Sequence, residues 1–270
     1  MMDRRLTPAT ARVAHVSLRG QVAAAQWTEG QDLRVALPLV DLLRAPGGAR
    51  ERQLRLGEGF CVVDRDQGHA FGFARKDGYC GWLPEPALSE VAAPTHWIAS
   101  VGTHLYPAPR SASQELAALP MGAQVEVLGQ VDKWAETALG YVPRSHLRRI
   151  GDWLDDPVTV AEGFLGTPYL WGANSRAGID CSGLVQLAFA ACGISVAGDS
   201  DLQEAQGAEV FGTLQRGDLV FWKGHVALVV GDGRIIHANG FTMSVAYEGL
   251  EAAIARIAAG EGPVTAQRRL

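Results

Sequence analysis

The chain has 270 residues, 20% charged and 47% hydrophobic, with a formal net charge of −5. That composition fits a folded globular protein and excludes a disordered chain or a collagen-like repeat; no apolar run approaches the ~20 residues of a membrane span. The acidic balance gives no sign of a nucleic-acid binder, and four scattered cysteines are too few for a disulfide scaffold. Charge is uneven along the chain. Residues 1–150 hold 17 Lys and Arg against 15 Asp and Glu, whereas residues 151–270 hold 7 against 14. A domain boundary near residue 150 is expected. The first twenty residues contain neither the apolar core of a secretory signal nor a lipobox-like Cys, so a cytoplasmic location is the expectation.

The first half carries a weak internal repeat. Gly81-Trp82-Leu83-Pro84, with Leu88 beyond, matches Gly140-Tyr141-Val142-Pro143, with Leu147 beyond. Upstream, Leu56-Gly57 precedes an apolar run at 60–63, as Met121-Gly122 precedes one at 125–128. Each unit has short apolar runs punctuated by Gly, Pro and Asp, the pattern of a small β-barrel. Ser89 to Thr95 reads as the linker. With the run Leu54 to Glu58 ahead of it, the Gly-aromatic-aliphatic-Pro motif resembles that of bacterial SH3 domains. The resemblance implies two tandem domains, at 1–90 and 91–150.

From 151 the pattern changes. Asp156-Pro157 opens a predicted helix from Val158 to about Leu165, ended near Gly166. Pro168 to Gly172 is an aromatic loop. Apolar residues at 184, 187, 188 and 191 share one helical face, and Gly193 suits the C-terminal cap. Strands are expected at 219–222, 225–230 and 234–238, with a hairpin turn at Gly231-Asp232-Gly233. One helix followed by an antiparallel meander makes an α+β domain, 151–270.

Cys181 stands at the start of the second helix, where unpaired N–H groups and the helix dipole favour a thiolate. A buried helical Cys is the commoner fate of such a residue. Two histidines sharpen the choice, because a thiol nucleophile needs a His base and a polar group that orients it. His225 opens one strand and His237 lies in the next. A regular two-residue hairpin would pair His237 with Leu228, on the face opposite His225. A three-residue loop or a bulge would bring both to one face.

The segments Gly166 to Gly172, Gly178-Ile179-Asp180-Cys181-Ser182-Gly183-Leu184-Val185, Gly217 to Trp222, His225-Val226-Ala227 and Ile235-Ile236-His237-Ala238 resemble, in order, the motifs of the NlpC family of papain-like bacterial cell-wall cysteine peptidases. The resemblance implies Cys181 as nucleophile, His225 as general base and His237 as the orienting residue, with the Tyr169 hydroxyl near the thiolate. SH3 domains ahead of such a domain resemble the subgroup that cleaves the γ-D-glutamyl–diamino acid bond of murein tri- and tetrapeptides bearing a free N-terminal L-alanine. In that subgroup a carboxylate takes the amine. Asp199, with Ser200 beside it, falls at that place, although the subgroup's Arg and Pro are absent before it. Asp199 is equally suited to capping a helix. Tyr79 would close the pocket from the first SH3 domain, and Glu58 would offer a second carboxylate. Asp180 and Ser182 flank the nucleophile, where backbone capping is their ordinary role. Cys192 is expected in the core, with Cys61 and Cys80 unpaired in the first SH3 domain.

Three other readings use the same residues. One is a catalytically weak peptidoglycan-binding protein. Another is a zinc site on Cys181, His225 and His237, set back by their long separations. A third is an amidase or acyltransferase working through the same thioester. The peptidase reading calls for no cofactor or metal, no nucleic-acid or membrane partner, and a monomer.

Overall fold

In the first 150 residues the short apolar runs become strands. The structure, a computed structural model, describes residues 2–270 and divides into two compact units, Met1–Ile150 and Gly151–Leu270. The first unit contains a seven-stranded sheet in the order Arg50–Arg55, Leu39–Leu43, Cys80–Pro84, His69–Ala74, Gly59–Asp66, Gln31–Val35, Leu88–Ser89, antiparallel throughout. Residues 96–149 form three smaller sheets.

The two repeat motifs fold alike. Each Gly-aromatic-aliphatic-Pro ends a strand, Cys80–Pro84 or Gly140–Pro143. Each is followed by a single 3-10 turn, Glu85–Ala87 or Arg144–His146, and then by a short strand. The sheets on either side of residue 91 share a core, since Leu56 is buried with Ile98, Leu105, Leu119, Val125 and Val142. Gly57 makes that approach possible: its φ is +79° and a Cβ there would meet the Gln124 carbonyl oxygen at 2.4 Å.

The second unit has four helices, α1 (Pro157–Glu162), α2 (Cys181–Ala191), α3 (Ser200–Glu204) and α4 (Leu250–Ala258). Its six-stranded antiparallel sheet uses β1 (Ala208–Glu209), β2 (Leu219–Trp222), β3 (His225–Gly231), β4 (Arg234–Asn239), β5 (Ser244–Gly249) and β6 (Ala266–Arg269). The spatial order is β1-β6-β2-β3-β4-β5. The expected meander is therefore extended by β5 and by a C-terminal strand inserted between β1 and β2. The buried Asp218 holds that insertion, because Arg269 of β6 donates to both of its oxygens at 2.6 and 2.7 Å. Helix α1 is capped by Asp156, which accepts from the Val158 and Thr159 N–H groups, with Pro157 in the first turn. Helix α2 packs against α1, β3 and β4. Helix α4 lays Ala253 and Ile257 on the sheet face formed by Val220, Trp222, Ala227, Val229 and Ile235.

One expectation about the cysteines needs correction. Cys192 is half-buried at the C-cap of α2 rather than in the core, because the helix stops at Ala191 and Gly193 turns the chain at φ +79°. Trp82 is only partly buried, packed against the Phe71 ring, whereas Trp134 and Trp222 are core residues. Cys61 and Cys80 are buried free thiols.

Candidate active site

Asp180 builds the turn that presents Cys181. Its Oδ1 accepts from the Gly183 N–H at 2.6 Å and from the Ser182 hydroxyl at 3.1 Å. Its Oδ2 accepts from the Gly172 N–H at 2.8 Å, which ties the aromatic loop to the helix start. Gly183 has no room for a side chain: a Cβ would meet the Ala173 carbonyl oxygen at 2.7 Å. Asp180 thus caps the first turn of α2, and Ser182 donates to that same carboxylate. Cys181 is buried in the first turn of α2.

Tyr169 lies beside this turn. It bridges to Ile179, and its N–H donates to the Met243 carbonyl at 2.9 Å. Burial raises the pKa of its phenol, and the nearby Cys181 and Asp180 raise it further, so the hydroxyl stays a neutral donor. Trp171, two residues on, is exposed.

The two histidines meet. His225 Nε2 lies 2.9 Å from His237 Nδ1, with ring centroids 5.1 Å apart. A bulge brings them to one face. The turn is the two-residue Asp232-Gly233, both at positive φ, and it pairs Gly231 with Arg234. Val230 is then left over, and pairing resumes as Val229 with Ile235 and Leu228 with Ile236. One step further sets His237 level with Ala227, on the face of His225. Trp222, paired with His225 in the ladder, stacks a tilted ring at 5.8 Å.

Beyond the histidines lie residues that the motifs do not single out. Glu248 Oε2 approaches His237 Nε2 at 3.2 Å, and Arg256 holds Glu248 through Nε at 2.9 Å and Nη2 at 2.7 Å. The legible signal for Glu248 is period-two alternation in β5, which sets it on the face of His237. Gln203 is fully buried in α3 and donates to the carbonyls of Ser182 and Ala197 at 2.9 Å each. It fastens the loop before α3 to the turn after Cys181.

Asp199 and Ser200 begin α3, which packs on α2 and β3. Asp199 takes the N-cap position, yet its carboxylate accepts no capping hydrogen bond. Tyr79 and Glu58 belong to the other unit. Tyr79 is buried, and its N–H donates to Asp77. Glu58 is also buried. Both of its oxygens are held, by Arg55 at 2.6 Å and Lys76 at 3.0 Å. Burial alone would raise its pKa, but Arg55 and Lys76 hold it down to about 2. It borders a cleft of about 720 Å³ also lined by Arg34, Arg75 and Gln124. An incoming ammonium there would have to displace Lys76. Among the described residues no cluster of three or more His, Cys, Asp or Glu side chains could hold a metal ion.

Burial pushes both histidines toward the neutral form, His225 to about 3 and His237 to about 4, the latter despite Glu248. The sign for stability follows. An unfolded His titrates near pH ~6.5, so the folded state's preference for neutral rings contributes fully above that pH. The contribution is lost as pH falls from there through the folded values. Paired carboxylates such as Glu58 lose theirs only below their own unfolded pKa of 4.5. The urea midpoint should therefore drop between pH ~6.5 and ~4.5, and the drop should be shallower in His237→Gln. Equal slopes for the two proteins would remove the histidines as its source.

A cysteine at a helix start, two histidines in direct contact on strands that the helix packs against, and a neutral tyrosine beside the cysteine's turn fit a thiol-peptidase class of site. Comparison with known proteins agrees. Residues 166–256 match the NlpC/P60 family, and residues 42–88 match the bacterial dipeptidyl-peptidase SH3 domain. The chain carries an NlpC/P60 cysteine peptidase domain behind a bacterial dipeptidyl-peptidase SH3 domain. A gamma-D-glutamyl-L-lysine dipeptidyl-peptidase of Bacillus cereus is 29% identical over 247 residues, covering 79% of this chain and 73% of its own. Dipeptidyl-peptidase 6 of Lysinibacillus sphaericus is 37% identical over 87 residues, so the match spans 32% of that relative's length. The crystal structure of an NlpC/P60 family protein from Bacillus cereus superposes with a TM-score of 0.77 over 88% of this chain and 99% of its own, at 22% identity, a likeness of fold.

Proposed function

We propose that this protein hydrolyses the γ-D-glutamyl–diamino acid bond of murein peptides bearing a free N-terminal L-alanine, as a monomeric cytoplasmic enzyme of cell-wall peptide recycling. The observation that carries the reading is the direct His225–His237 contact on strands against which the Cys181 helix packs. The relatives named for γ-D-glutamyl dipeptidyl-peptidase activity support the bond type. The like folding of the two Gly-aromatic-aliphatic-Pro motifs supports reading residues 91–150 as a second SH3 domain, in three domains overall.

The chemistry follows from the residues. His225 Nε2 is engaged by His237, which leaves Nδ1 for the thiol. His225 takes the Cys181 proton as the sulfur attacks the γ-carbonyl carbon. The tetrahedral adduct collapses, the C–N bond breaks, and His225 returns the proton to the departing amine. Water then attacks the thioester, giving one proton to His225, which passes it to the departing Cys181 sulfur, and the released acid loses its own proton to solvent as the carboxylate forms. Tyr169 stands as a neutral donor beside this centre. Asp199 and Ser200 receive the substrate's ammonium.

Mass spectrometry of products from L-Ala-γ-D-Glu-diaminopimelate and from the same peptide capped by N-acetylmuramic acid tests the reading. Cleavage of the free peptide, with the capped one slower by about 100-fold or more, is expected from the loss of one desolvated charge pair. Equal cleavage would remove the free-amine handle.

A further inference from the structure

We propose that Glu248 is a positioning residue of the hydrolytic centre, which selects the tautomer of His237 and thereby leaves the thiol-facing nitrogen of His225 bare. The inference rests on the assignment of Cys181, His225 and His237 above and extends it by one link.

His225 Nε2 and His237 Nδ1, 2.9 Å apart, can share only one proton. Two neutral arrangements satisfy the contact. In the first, His225 donates from Nε2 and His237 accepts at Nδ1, so His237 carries its own proton on Nε2. In the second, His237 donates from Nδ1, and His225 must carry its proton on Nδ1. Only the first leaves His225 Nδ1 with a lone pair for the thiol proton. The histidine pair alone does not choose between them.

Glu248 chooses. An ionised carboxylate only accepts, and its Oε2 lies 3.2 Å from His237 Nε2, so it favours the proton at that nitrogen. The approach is off the ring N–H direction, so the preference is set more by the field of the charge than by an aligned hydrogen bond. Arg256 forks onto both Glu248 oxygens and holds the carboxyl below its ordinary pKa, which keeps it ionised. In the sheet Glu248 stands opposite Ile235 and His237 opposite Ala246, so Glu248 reaches His237 as a diagonal neighbour on one face. The charged or titratable groups acting on the His237 ring are His225, Glu248 and Arg256. The same carboxylate stabilises positive charge on the pair when the thiol proton arrives.

Glu248→Gln is the sharp variant. It keeps the shape but loses the charge. Arg256 can only donate, so it would attract the amide oxygen and turn the amide NH₂ toward His237 Nε2. That arrangement selects the wrong tautomer. The expected result is a fall in kcat of about 100-fold with KM within about threefold, the pattern of an interaction used after binding. The rate of Cys181 alkylation by iodoacetamide should fall at neutral pH and converge with the wild type in alkali, where the thiolate forms without the base. Glu248→Asp, which retains the charge, should recover most of the neutral-pH alkylation. Wild-type kcat and alkylation profile in a folded Glu248→Gln protein would overturn the proposal. So would Asp and Gln variants equally impaired, since that marks a packing role alone. Cys181→Ala run in parallel separates the two levels: an active Cys181→Ala protein removes the peptidase assignment, whereas an inactive one beside a fully active Glu248→Gln removes only the role of Glu248.

Discussion

Cys181→Ala is expected to reduce peptide hydrolysis by at least about 10⁴-fold, because the variant has no nucleophile and only binding and dipoles remain. The protein should still fold. The lost sulfur occupies a small volume at the start of α2, and its removal costs about 1 kcal/mol. The capping that builds the turn belongs to Asp180, whose carboxylate holds the Gly183 and Gly172 N–H groups without help from the thiol. Circular dichroism and the urea midpoint should therefore stay near wild type while turnover vanishes. Substantial turnover by the folded variant would sink thiol catalysis outright. The expected result also separates the peptidase from the peptidoglycan-binding alternative, since a binder would retain its affinity and show no turnover in either form.

The turn that presents Cys181 and the strand carrying His225 were legible because their signals are local. A cap residue, a cysteine and a small residue in sequence define the start of α2, and alternation defines β3. The face of His237 was legible only as a pair of alternatives. Sequence spacing offered a three-residue loop or a bulge, and the chain takes the bulge: Asp232 and Gly233 both adopt positive φ, which suits a two-residue turn, and Val230 absorbs the odd residue. Glu248 was not legible as part of the site. Its partner Arg256 lies on α4, and nothing in a run of alternating residues says which helix will cover the strand. The same holds for β6, whose place between β1 and β2 depends on the ion pair of Arg269 with Asp218. The Gly217-Asp218 motif was visible from the start, yet its carboxylate works for the sheet and not for the chemistry. Glu58 shows the opposite limit. A carboxylate near a motif reads as a binding group until Arg55 and Lys76 are found on both of its oxygens.

Asp199→Asn is the second change with a large expected effect, and it falls on binding and not on chemistry. A helix N-cap aspartate normally spends its carboxylate on first-turn N–H groups. Asp199 does not, although it holds the N-cap position of α3. Its loop is instead fixed by Gln203, which ties the Ala197 carbonyl to that of Ser182, one residue past Cys181. On the proposed reading, this carboxylate is the one that receives the substrate's ammonium. Asparagine keeps the shape and one acceptor but removes the charge. An ammonium that has left water would then face a neutral dipole, a loss of about 2–3 kcal/mol. KM for the free-amine tripeptide should rise about 100-fold with kcat within about threefold, because the interaction is the same in ground and transition states. Preference for the free peptide over its capped form should shrink with it. An Asn variant with unchanged KM and unchanged preference would move the amine handle elsewhere. A variant with lowered kcat and unchanged KM would instead assign Asp199 to holding the nucleophile's turn through Gln203.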